Sequence, residues 1–78
     1  MTDWNAHLET AQRRIAEVEG KISVQKEAMQ RLSEQGADTG IVARMLHVLN
    51  ESLERANIHK RFIESRIKVF PSPAQQRG

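Results

Sequence analysis

His7, Arg14, Lys21, His59 and Arg66 occupy the same position, g, of a seven-residue repeat, and Arg55 lies on the same side. Basic groups in a row can hold an anion, either the phosphates of RNA or DNA or an acidic protein surface. No acid interrupts this edge, although Glu17 stands at a neighbouring c position. The plainer reading is a solvated face whose cations pair with Glu17 or with acids of a second copy. Composition favours it. The formal net charge is only +2, and Trp4, Phe62 and Phe70 are the only aromatic residues, too few to form a platform on which bases stack.

Other chemistry finds little support. The chain has no cysteine, hence no disulfide and no thiolate. His7, His47 and His59 form no His-x-x-x-His or Glu-x-x-His pair, so no metal site is expected. Gln25 and Lys60 are polar residues on an otherwise apolar seam. They read as register-setting residues, with Lys60 extending its ammonium outward toward Glu64 four residues on. No nucleophile, acid pair or phosphate loop accompanies them. The expectation is a protein that is not an enzyme and takes no cofactor.

The elements that carry these side chains are written in the apolar spacing. Trp4, Leu8, Ala11, Ile15, Val18, Ile22, Gln25, Met29 and Leu32 alternate by four and three, the d and a positions of a coiled coil. The period returns in Val42, Leu46, Leu49, Leu53, Ala56, Lys60, Ile63, Ile67 and Phe70. Between them lies Gln35-Gly36-Ala37-Asp38-Thr39-Gly40. Gly36 suits the left-handed residue that follows a helix, and Asp38 or Thr39 suits the cap of the next. A connection this short joins antiparallel neighbours. Folding back at residue 37 sets Leu32 against Val42, Ile22 against Leu53, Val18 against Ala56, Ala11 against Ile63 and Trp4 against Phe70. Turn and seams agree, and such agreement between levels is what specifies a fold.

The expected architecture is therefore all-α. A two-helix antiparallel coiled-coil hairpin spans residues 1–70, with a helix over 4–35, a turn over 36–38 and a helix over 39–70. Residues 71–78, opening on Pro71, read as a disordered tail.

Two helices bury one face each, so an isolated hairpin is marginal. A second apolar strip follows the g and c positions: Val24 and Ala28 on the first helix, Ile41, Met45, Val48 and then Phe62 and Val69 on the second. Burial of its turn-proximal half against a second copy predicts a homodimeric four-helix bundle.

Ile15-Ala16-Glu17 through Ile22, Gln25 and Leu32, then Gly36-Ala37-Asp38-Thr39, then Leu46, Leu49, Leu53, His59 and Arg61 resemble a group of short bacterial proteins. These pair two helices around a Gly-x-Asp-Thr turn. The group has no assigned activity, so the resemblance implies a fold and transfers no functional residue.

These observations predict a small interaction or scaffold protein that works through its helix faces, with a protein partner. The alternative is a nucleic-acid-binding regulator that uses the basic strip of a hairpin dimer. No apolar run is long enough to span a membrane, and the outer faces carry too many acids for a membrane-surface helix. Met1-Thr2-Asp3-Trp4 lacks a signal-peptide pattern, so the expected location is the cytoplasm.

Overall fold

A computed structural model describes residues 3–69. It consists of two α-helices packed side by side, α1 from Trp4–Glu34 and α2 from Gly40–Val69, with no strand among the described residues. The expected end of the second helix at Phe70, the Trp4–Phe70 contact and the tail over 71–78 fall outside those residues. The body measures 60 × 17 × 16 Å.

Local chemistry explains each helix end. Asp3 caps α1: its Oδ1 accepts from the backbone N–H groups of Asn5 and Ala6, both at 3.1 Å. These would otherwise be orphan donors of the first turn. At the other end Gly36 turns left-handed, with φ of 71°. That conformation lets Ala37 N–H donate to the Leu32 carbonyl at 2.8 Å and Gly36 N–H to the Ser33 carbonyl at 3.1 Å. The pair is a Schellman closure, which satisfies two carbonyls that the helix leaves open. It also ends α1 at Glu34, one residue before the boundary expected from the apolar pattern.

The start of α2 divides capping between the two residues that the sequence left as alternatives. Asp38 Oδ1 accepts from Gly40 N–H at 2.9 Å, while the Thr39 carbonyl accepts from Ala43 N–H at 2.9 Å. The helix thus begins at Gly40 rather than at residue 39. Glycine fits here for a steric reason, since a Cβ at position 40 would stand 3.2 Å from the Asp38 carboxylate oxygen that caps it.

The core is the seam. Ala11, Ile15, Val18, Ile22, Leu46 and Ile63 are buried, and every one is an a or d position. Val18, Ile22 and Leu46 form the central cluster, with Met29, Val42, Leu49 and Leu53 packed around it. Gln25 and Lys60 are half-buried, and among the described residues no buried side-chain polar atom lacks a partner.

Candidate functional site

The hairpin has two broad faces, and they differ in kind. One carries the e and b positions: Gln12, Glu19, Lys26 and Gln30 of α1, with His47, Asn50, Glu54, Asn57 and Arg61 of α2. Apart from Ala16 and Ala43 it is polar. The other carries the g and c positions. The large apolar side chains left exposed among the described residues are Val24, Ile41, Met45, Val48, Ile58, Phe62 and Val69. All but Ile58 lie on the g and c face. Singly scattered apolar residues need no explanation, but six on one side of a hairpin form a patterned surface.

Near the turn this surface is continuous. Ile41, Met45 and Val48 line a shallow groove of about 420 Å³ with Lys21, Gln25, Arg44 and Leu49. Lys21 and Gln25 also border the adjoining groove, where Val24, Gly20 and Glu17 complete the wall. The structure therefore brings four of the six residues expected at a docking surface, Val24, Ile41, Met45 and Val48, to one place. Ala28, on the α1 side of the same face, is half-buried.

Phe62 belongs elsewhere. It sits at the open end of the hairpin, its ring 6.2 Å from that of Trp4 in an edge-on arrangement, with the Arg66 guanidinium 5.0 Å from its centroid. The His7 ring lies 5.7 Å from that of Trp4, tilted by 55°. His7 and Arg66, expected as neighbours in a row of cations, are thus joined through two aromatic rings. The heptad lettering assigns Trp4 to the seam and Phe62 to a flank. It gave no sign of this pair, because an indole at a helix end is long enough to reach a flanking residue.

Between the apolar end and the aromatic end lies the middle of the cationic strip. Arg14, Arg55 and His59 line a groove of about 310 Å³ whose other walls are Ala11, Ser52 and Ala56. No carboxylate lines it. The one ion pair among the described residues is on the opposite face, where His47 Nε2 lies 3.0 Å from Glu51 Oε1. Lys60 does not pair with Glu64, contrary to expectation. Both pairs have the four-residue spacing, and His47–Glu51 is the one whose side chains meet. Among the described residues no group of three His, Asp or Glu side chains converges as a metal site would require. None of the helices is long and apolar enough to cross a membrane.

The expected docking strip and the expected cationic strip are therefore one face, with apolar groups toward the turn, cations in the middle and aromatics at the far end. A macromolecule that covers this face along its length covers both. The chain matches no family model, and no curated protein or solved structure resembles it significantly.

Proposed function

We propose that this chain is a non-catalytic interaction protein that acts through the g and c face of its hairpin, and that a second copy occupies this face to complete a four-helix bundle. The observation that carries the reading is the segregation of exposed apolar side chains: Val24, Ile41, Met45, Val48, Phe62 and Val69 on one side, polar residues on the other. Burying one large aliphatic side chain is worth about 1.5–3 kcal/mol. Several such residues on a monomer with so small a core form a strong drive to associate. Kinship with the short bacterial hairpin proteins is proposed on the same footing, from the Gly36-Ala37-Asp38-Thr39 turn.

Association linked to folding makes stability depend on concentration. The thermal midpoint, followed by circular dichroism, is expected to rise steadily as protein concentration is raised a hundredfold. A midpoint independent of concentration counts against the second copy.

One observation favours a second reading, the carboxylate-free groove between Arg14, Arg55 and His59. It suits phosphate oxygens, and a nucleic acid seated there would compete with self-association for the same face. Gel shift with mixed RNA and DNA tests this. Binding that weakens steeply with salt supports the regulator. No shift at low salt ends that reading and is the outcome expected if a second copy holds the face.

A further inference from the structure

We propose that the second copy lies antiparallel across the g and c face, on a two-fold axis that passes beside Arg55, so that the turn of each hairpin meets the open end of the other. The inference rests on the self-association reading above and adds its geometry.

The first argument is area. The turn-proximal apolar patch, from Ile41 to the level of Val24, covers less than about 20 Å of helix. Across a body 17 Å wide that is roughly 300 Å² per copy, well below the ~800 Å² per partner of a stable interface. The full 31 residues of α1 extend about 46 Å, and the whole face offers about 800 Å². A stable pair therefore overlaps along its length, and only two orientations do so.

The sequence of α2 chooses between them. Its c positions read Ile41, Val48, Arg55, Phe62, Val69. The stripe is symmetric in character: Val48 and Phe62 stand seven residues either side of Arg55, and Ile41 and Val69 fourteen. Antiparallel packing about Arg55 sets α2 on the second copy's α2, Ile41 against Val69 and Val48 against Phe62, so exposed apolar groups meet each other along the stripe. Parallel packing instead sets α1 on the second copy's α2. It joins Val24 to Val48, but leaves Phe62 and Val69 facing Thr10 and Asp3.

Ion pairs are compatible with this packing. With Val18 opposite Ala56 in the seam register, the segment between Glu17 and Lys21 is level with Arg55. The antiparallel pair then places Glu17 of each copy against Lys21 of the other, two reciprocal ion pairs flanking the axis. Arg55 is the one c residue of α2 that meets its own copy, and on α1 Val24 comes level with Arg14 of the second copy. The parallel pair also gives Glu17 a partner, Arg55, so it is the apolar stripe of α2 that decides between the two.

The chain contains no cysteine, so single cysteines report proximity without background. Arg55→Cys, Val48→Cys, Phe62→Cys and Val24→Cys replace exposed side chains, which keeps the seam intact. Each is oxidised with copper phenanthroline at a concentration where sedimentation shows a dimer. Arg55→Cys alone is expected to yield a disulfide-linked dimer, because its two copies approach on the axis. Val48→Cys mixed with Phe62→Cys is expected to give the mixed disulfide at least tenfold faster than either variant alone. Rapid linkage of Val24→Cys to Val48→Cys, with none through Arg55→Cys, overturns the proposal in favour of the parallel pair. A dimer that links through none of these positions overturns it too. If sedimentation finds only monomer, it is the underlying reading of self-association that fails.

Discussion

The double substitution Met45→Lys/Val48→Lys is expected to abolish self-association and leave the hairpin folded. Both side chains lie outside the seam, 45% and 59% exposed in the single chain, so a charge at either is hydrated as long as the chain is alone. In the bundle the charge at position 45 would be pressed against Arg66 of the second copy, a like charge, and the charge at position 48 against the ring of Phe62. An unpaired charge buried in an interface costs several kcal/mol. Two such charges per copy, four per bundle, weaken the dimer by at least ~100-fold, since each 1.4 kcal/mol is a factor of ten. The measurement is mass by light scattering beside helicity by circular dichroism. Asn50→Glu, on the polar face, is the control expected to change neither. If the double variant keeps the dimer mass, the interface lies on another face.

Ile63→Ala is expected to cost about 3 kcal/mol of folding stability, read from urea unfolding. Ile63 is the most buried side chain among the described residues, 1% exposed, at the level where Ala11 gives it room to fill. Removing it leaves a cavity between two helices that have no third layer to collapse into it. A hairpin with six buried residues among those described has little stability in reserve, so the variant is expected to be largely unfolded at 37 °C unless association rescues it. Leu53→Ala removes a side chain that is only half-buried, and its cost is expected to be smaller. A loss below ~1 kcal/mol at Ile63 would mean that the open half of the seam contributes little to folding.

How legible this molecule is in its sequence differs by level. The seam residues could be named because α-helical packing repeats every seven residues, and Ile15, Val18, Ile22, Leu46 and Ile63 are apolar at the required places. The turn was legible through Gly36 and Asp38, whose types answer a backbone need. Helix bounds were off by one on each side of the turn. The Schellman bonds from Gly36 and Ala37 and the Asp38–Gly40 contact fix them, and these depend on geometry beyond residue type. The candidate site was legible as residues but not as a surface. Periodicity puts Ile41, Met45 and Val48 and also Arg14, Arg55 and His59 at g and c positions, but how they divide into an apolar groove near the turn and a cationic groove beyond it is shown by the folded hairpin. The Trp4–Phe62 contact and the choice of His47–Glu51 over Lys60–Glu64 turn on side-chain reach and rotamer, which spacing does not encode.

Self-association through the g and c face is the central claim, and sedimentation equilibrium of the unaltered chain tests it most directly. The measurement spans micromolar to hundreds of micromolar protein at low and at high salt. The account predicts a species of twice the 8.9 kDa chain mass at both salts, because apolar burial survives screening that weakens ion pairs. A mass of 8.9 kDa at every concentration and salt would contradict it. Val24, Ile41, Met45 and Val48 would then be open to solvent in the free protein, available to a partner other than a second copy.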